Sequence, residues 1–333
     1  MQHSSHGLRI ALLAGVSVVA LAAAAPSAGA ADVNKPVLTK APPPVAAPKD
    51  TWTWWIEGGA FHSDGGNFGQ FPAFKPDWGG EGAVGFDWQP FAPMHVVGQF
   101  RYGQATKSDP LHSVFTSGPT TITTNGTQSL REDHWLIDFG IGRDFGLGNT
   151  HAMWTLGIRV ADLRARLNTN ASFVSAGGPT PAAGVSTAQE RSTFVGAGPR
   201  FAVQGDIPLG GPWSIDWGAG AAVLFGERNV QVTSTATGTV TGGLGAGTNF
   251  VATTLVHASD SPAIFNVDAQ AGLSYWFSPN VKFTVSYRFD EYFRALKTIT
   301  VASTTLGTGG PVFVASNIDR SFSGPMARLT WKY

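Results

Sequence analysis

The chain has 333 residues, no cysteine, 42 glycines, 11 tryptophans and only 13% charged residues, and its 22 basic and 22 acidic side chains balance to zero net charge. The missing cysteine excludes disulfides, thiolate metal sites and a thiol nucleophile. A neutral, sparsely charged chain is also no electrostatic nucleic-acid binder, and it is poorly suited to solubility, because charge opposes association.

The first element is an export signal. A short head with Arg9 as its only positive side chain leads into the apolar stretch Ile10 to Ala25, and Ala28 and Ala30 then supply an A-x-A cleavage spacing. The stretch is shorter than the roughly 18 apolar residues a spanning helix needs, so residues 1–30 are expected to be a signal peptide cleaved after Ala30, with Ala31 nearly as good a site. Residues 31–50, rich in Pro, Ala and Lys without apolar periodicity, are expected to be a periplasmic linker. Residues 51–333 then form one domain.

From Trp52 onward the pattern has period two. Ten segments carry it, beginning at Trp52, Trp78, Met94, Glu132, His151, Arg191, Trp213, Ala263, Asn280 and Ile318. In the fourth, Trp135, Ile137, Phe139 and Ile141 oppose His134 and Asp138; in the eighth, Phe265, Val267 and Leu273 oppose Asn266, Asp268 and Gln270. In the ninth, Phe283, Val285 and Tyr287 oppose Lys282, Thr284, Ser286 and Arg288. Alternation of this kind marks a strand with one apolar and one polar face. The segments match or exceed the roughly 9–11 residues a tilted strand needs to cross a bilayer, and are longer than an ordinary globular strand.

The connections alternate in length. Short ones lie near residues 90, 148, 209 and 278, and long ones cover 63–77, 106–131, 168–190, 229–261 and 297–317. Tight turns at one end and long loops at the other are the asymmetry of an outer-membrane barrel. The fold expected is therefore all-β, a transmembrane antiparallel up-and-down β-barrel of about ten strands, with eight or twelve as alternatives. Both ends then lie on the periplasmic side. The long loops are expected to prolong the wall above the membrane, with a hairpin turn at Asn125-Gly126. Val160 and Leu163 are apolar on opposite parities, which predicts a bulge near Ala161–Asp162, and Pro199 predicts a further irregularity. Trp52, Trp54, Trp55, Trp88, Trp213, Trp276, Phe277, Trp331 and Tyr333 cluster at strand ends, as an interfacial girdle does.

The stretches FVGAGPRF (194–201), IPLGGPWSI, FNVDAQAGLSYWF and YRFDEYFRAL, with WWIEGGAF and GIRVADL before them, resemble the pore-forming outer-membrane proteins similar to the Legionella major outer membrane protein. The resemblance implies a porin-like β-barrel and no catalytic residue. The terminal alternation of Ala327, Leu329, Trp331 and Tyr333 with Arg328, Thr330 and Lys332 resembles the signal read by the barrel-assembly machinery, with Leu329, Trp331 and Tyr333 as its apolar positions and Tyr in place of the usual Phe.

Chemical motifs are weak by comparison. Gly80, Gly82 and Gly85 have dinucleotide-fingerprint spacing, but FDWQP follows instead of a helix, so they read as strand glycines. His62 with Asp64, Asp109 with His112, and His257 with Asp260 are His/carboxylate pairs near long loops that would suit a rim hydrolase only if they converged. The inward charges are more informative. Parity places Glu57, Glu81, Asp87, Asp138, Asp216, Asp268 and Asp290 on the polar face with Arg101, Arg159, Arg200, Lys282, Arg288, Arg328 and Lys332. An ion in such a lumen meets no single-sign field, so weak charge selectivity is expected; the same balance equally fits a lumen shut by ion pairs. The contacts expected are Arg101, Arg159, Arg200 and Arg288 facing Asp138, Asp268 and Asp290.

The function expected is passive diffusion of small hydrophilic solutes across the outer membrane, with a structural or adhesive barrel as the alternative and a rim hydrolase third. No cofactor, metal, enzyme activity or nucleic-acid partner is implied. The partners expected are outer-membrane lipid and lipopolysaccharide, the barrel-assembly machinery and the solutes; the homo-oligomeric state stays open.

Overall fold

The computed structural model describes residues 51–68, 77–147, 150–243, 245–303 and 312–333. The expected signal peptide and linker lie outside the described residues. Eleven strands account for most of the rest: β1 (Thr51–Gly65), β2 (Trp78–Phe91), β3 (Met94–Ser117), β4 (Thr120–Leu147), β5 (Thr150–Ala176), β6 (Ala182–Gly210), β7 (Trp213–Val240), β8 (Asn249–Asp260), β9 (Ala263–Ser278), β10 (Val281–Ser303) and β11 (Val312–Lys332).

Ten of them close a ring. Each of β1 to β7 pairs with the next, β7 pairs with β9, β9 with β10, β10 with β11, and β11 returns to β1. Every pairing is antiparallel. The seam is sealed at its very end, where Tyr333 N donates to Trp52 O at 2.8 Å and Trp52 N to Tyr333 O at 3.3 Å. Closure leaves no sheet edge within the ring, which is what lets strands stand in hydrocarbon. The ten-stranded ring is the one expected from the alternation. The eleventh strand, β8, is an addition: β7 gives Trp213–Phe225 to β9 and then Arg228–Thr239 to β8, outside the ring.

The long loops prolong the wall, as expected. β4 runs for 28 residues and β6 for 29, two to three times what roughly 9–11 residues of bilayer crossing require. The turn between β3 and β4 is a correction, however. It falls at Gly118, which has φ 58°, while Asn125-Gly126 lies inside β4, Gly126 paired to Leu111 and Ala171. A Cβ on Gly126 would sit 2.1 Å from the Asn170 carbonyl oxygen; close strand approach, not a turn, needs this glycine.

The expected bulge at Ala161–Asp162 is likewise absent, since β5 keeps one register with β4 and with β6 throughout. Val160 faces out and Leu163, with 2% exposure, faces in; the two parities conflict only if the inside is polar at every height, and it is not. At Pro199 the bonding to β7 lapses but resumes in the same register, Ala197 with Phe225 and Arg200 with Ala222. A register shift within the wall does occur in β10, where the pairing to β11 slips between Tyr292 and Leu296 and Arg294 takes φ 57°. Residues Ala295 to Ile299 are then all buried. Lys297 N donates to Ser192 Oγ at 2.9 Å and Ile299 N to Glu190 Oε1 at 3.2 Å, so the strand leaves its alternation and leans onto β6 across the ring.

The outer surface carries an apolar band that includes Ile56, Val84, Phe100, Ile137, Phe139, Ile158, Phe201, Phe225 and Val285, each more than 40% exposed. Aromatic rings gather at the short-turn end: Trp52 stacks on Trp54 at 5.6 Å and on Trp88 at 5.3 Å, and Trp213 meets Tyr275 edge-on at 4.8 Å. Trp55 and Trp276 do not join them. Arg328 lies 4.3 Å over the Trp55 ring and Lys282 Nζ 5.2 Å over that of Trp276, because both residues have the inward parity of those cations.

Candidate functional site

The interior is layered along the barrel axis. At the short-turn end a cavity of about 320 Å³ is lined by Asp87, His95, Asp144, Gln204, Asp206, Asp216, Lys282 and Thr330 among others. His95 spans Asp87 and Asp144 through its two ring nitrogens, at 2.8 and 3.0 Å. Lys282 Nζ donates to Asp216 at 2.6 Å.

Above the cavity the charges meet across the ring. Arg159 on β5 holds Asp138 on β4 through two bonds of 2.6 and 2.7 Å and reaches Asp268 on β9 at 2.8 Å. Arg200 on β6 pairs with Asp268 at 2.9 Å and lies 3.6 Å from Asp138. Arg101 on β3 grips Asp290 on β10 at 2.8 and 3.0 Å. Arg288 pairs with Glu57 and Glu81, and Arg328 donates to Glu57 at 2.8 Å. Planar guanidinium forks suit this bidentate work, which a lysine could not reproduce. Arg159 has no exposed surface, and Arg101, Arg288 and Asp290 have 5% or less.

Each pair is placed by period-two parity, which turns a residue inward, and by ring closure, which brings strands far apart in sequence to face each other. Glycine makes room: a Cβ on Gly220 would lie 2.6 Å from Arg200 Nη2 and 3.0 Å from Asp268. In the GGEGAVG stretch, a Cβ on Gly85 would meet the Trp55 ring at 2.2 Å and one on Gly79 the Phe61 ring at 2.7 Å. Those glycines admit neighbouring rings; no helix follows them.

On top of the belt lies an apolar layer that the alternation did not disclose. Phe61, Leu136, Ala161, Leu163, Phe194, Leu224, Ile264, Tyr292, Phe322 and Met326 pack inside the ring, none more than 6% exposed. His134 stacks on Phe322 at 4.3 Å and bonds Glu81 at 2.8 Å. Above that, Arg320 forms an ion pair with Glu132 at 2.8 Å and donates to the Gly66 carbonyl at 2.7 Å, with the Phe68 ring 4.4 Å away. The signal that could have found this layer is the Val160/Leu163 parity conflict itself.

Of the expected lumen-facing residues, Glu57, Arg101, Asp138, Arg159, Arg200, Asp268, Arg288 and Asp290 lie together in this one belt, and Lys282 lies below it with Asp216. Leu329 pairs with Ile56 and Phe283, and Trp331 with Trp54 and Val281; with Tyr333 they form the outward face at the seam. The His/carboxylate pairs do not converge. His62 lies 3.7 Å from Asp77, His112 bonds Asn125 at 2.6 Å, and Asp260 is taken by Arg228 and Lys297 at 2.7 and 2.9 Å. Among the described residues no group of three or more His, Cys, Asp or Glu could hold a metal ion.

A closed antiparallel ring, apolar outside and charged within, narrows the class to membrane barrels, and the sequence decides within it. Residues 69–333 match the family described as the Legionella pneumophila major outer membrane protein precursor. The chain belongs to this family. It is therefore an outer-membrane β-barrel; barrels of this class set short turns on the periplasmic side and long loops outside the cell. Among curated proteins no sequence matches. Among solved structures it is similar to the outer membrane protease OmpT of Escherichia coli, at 9% identity and a TM-score of 0.43, covering 87% of this chain and 99% of that one. It is also similar to Ail, the attachment invasion locus protein of Yersinia pestis, at 10% identity and a TM-score of 0.25 over 85% and 99% of the two chains. A major outer membrane protein from Thermus thermophilus gives 12% identity and 0.25 over 85% and 99%. Likenesses this distant transfer no residue role.

Proposed function

We propose that this barrel works with its lumen shut, as a structural barrel of the outer membrane that presents long hairpins at the cell surface. The observation that carries the reading is the complete burial of Arg159 between Asp138 and Asp268 beneath the apolar layer of Leu136, Leu163, Leu224 and Ile264. A hydrated ion would have to separate paired charges and then cross a hydrocarbon-lined plug. Ten strands lie close to the eight that leave only a filled interior and far from the roughly 16–18 of an aqueous channel.

A second reading, passive diffusion of small hydrophilic solutes with weak charge selectivity, is favoured by the periplasmic cavity of about 320 Å³, which brings water up to Arg200, Arg288 and Arg328. Single-channel recording of the purified chain in a planar bilayer separates the two. Silence from a barrel that still shows a heat-dependent shift on a gel is the result expected; discrete conductance steps refute the shut lumen and leave the diffusion reading standing.

A further inference from the structure

Four rows of outward side chains can be followed up the wall from the apolar band on β4, β5 and β6. The first is apolar, Ile137 opposite Val160 and Val160 opposite Ala197. Two residues higher, Trp135 stands beside Asp162. The next row pairs Asp133 with Arg164. The fourth is wholly basic: Arg131 is the register partner of Arg166, and Arg166 of Arg191. All three are exposed. Neighbouring strands lie roughly 4.8 Å apart, so three positive side chains stand directly side by side, an arrangement that is destabilising unless something negative joins them.

The protein's own acids serve only one of the three: Asp133 pairs with Arg131 at 3.0 Å, and Asp162 is taken by Arg164 at 2.5 Å. The side chains of Arg166 and Arg191 have no hydrogen bond or ion pair among the described residues, although the two are register partners. Their height is telling. Trp135 and its register partner Tyr102 on β3, which is exposed, put two amphipathic rings at one height, where interfacial aromatics sit; four residues above them at roughly 3.3 Å each, on a strand tilted about 40°, is about 10 Å higher. On the long-hairpin side that is the headgroup region of the outer leaflet. Above the arginines the wall turns to uncharged amides and hydroxyls, Ser129 opposite Asn168 and Asn168 opposite Gln189, the last two bonded at 2.9 Å.

We propose that Arg131, Arg166 and Arg191 form a binding site for the phosphate groups of a phosphorylated glycolipid of the outer leaflet. Guanidinium forks take phosphate oxygens bidentately, the apolar band below accepts acyl chains, and the amide and hydroxyl rows above accept sugar. A free anion would use the arginines alone and leave the rows on either side without a role. The site lies on the outer wall and holds whether or not the lumen conducts.

The test is native mass spectrometry of the full chain, produced in the outer membrane and purified in detergent. It is titrated with bis-phosphorylated lipid A, with the same lipid A after phosphatase treatment, and with inorganic phosphate. The phosphorylated lipid is expected to bind at least about tenfold more tightly than the dephosphorylated one, the order that loss of one charge-assisted contact gives. Arg166→Gln with Arg191→Gln is expected to erase that preference, and Arg166→Lys with Arg191→Lys to keep part of it. Equal binding of the two lipids overturns the proposal, as does an unchanged preference in the glutamine variant. Inorganic phosphate binding as tightly as the lipid overturns the lipid assignment. The wild-type comparison needs no variant to fold.

Discussion

Arg159→Ala is the substitution on which the shut lumen can be judged. It removes a guanidinium with no exposed surface that holds Asp138 twice, at 2.6 and 2.7 Å, and Asp268 at 2.8 Å. Removing one partner of a buried pair costs about 3–5 kcal/mol, because the other charge is left stranded. Two features pull the value toward the lower limit. Arg200 stays 2.9 Å from Asp268 and 3.6 Å from Asp138 and can take over part of the pairing, and the periplasmic cavity, which Asp138 and Asp268 themselves line, can send water to both carboxylates. The expected loss is about 3 kcal/mol, roughly a hundredfold in the unfolding equilibrium, read by urea titration of the refolded barrel in lipid vesicles. Because the aspartates share the arginine, Asp138→Ala combined with Arg159→Ala should cost less than the sum of the two singles, by about 2 kcal/mol. Additivity within about 0.5 kcal/mol would mean that these side chains do not hold each other and that the belt is not what closes the lumen.

Three further outcomes follow from the same geometry. Gly198→Ala would set a Cβ 1.9 Å from the Val223 carbonyl oxygen, a backbone atom, whereas Gly220→Ala would meet only the flexible ends of Arg200 and Asp268 at 2.6 and 3.0 Å. The first should cost about 1–3 kcal/mol as overpacking does and the second less, compared by urea midpoints. An epitope inserted between Gly118 and Pro119 should reach the surface of intact cells, while the same insert after Gly126 should abolish assembly, because Gly126 is bonded on both sides; antibody labelling reads both. At the hairpin base, Arg228 and then Lys297 hold the Asp260 carboxyl down at about 2. A depressed folded value means stability that is present above the unfolded value of about 4 and lost as pH falls toward 2. Protease nicking of the β7–β8 hairpin should therefore rise below pH 4 in the wild type, and Asp260→Asn should be nicked equally at pH 7 and pH 3.

The residue pattern carried much of the candidate site as well as the fold. Parity alone turned Arg101, Arg159, Arg200 and Arg288 to the same side as Asp138, Asp268 and Asp290; the first three arginines meet those aspartates in the belt, while Arg288 pairs with Glu57 and Glu81 instead. It failed where one assumption failed, that an inward residue is a polar one. Leu136, Leu163 and Leu224 have inward parity and are apolar, so in the residue pattern Leu163 mimics the mark of a bulge. It also failed at Asn125-Gly126, whose composition suits a turn but whose neighbours keep the strand going to Gly118. The inward lean of Ala295 to Ile299 left no trace in the alternation, since it depends on Ser192 and Glu190, about a hundred residues away, being across the ring to receive it.

The sequence by itself determined the strands, their two faces and the alternation of short and long connections, because a side chain's direction along a strand is a local matter of period two. Only the tertiary structure decided which charges meet and whether the interior is open. Arg101 and Asp290 are 189 positions apart, and their contact exists only once ring closure fixes every register between them; the height at which the inside changes from charged to apolar is a property of ten strands aligned together, which no single strand carries.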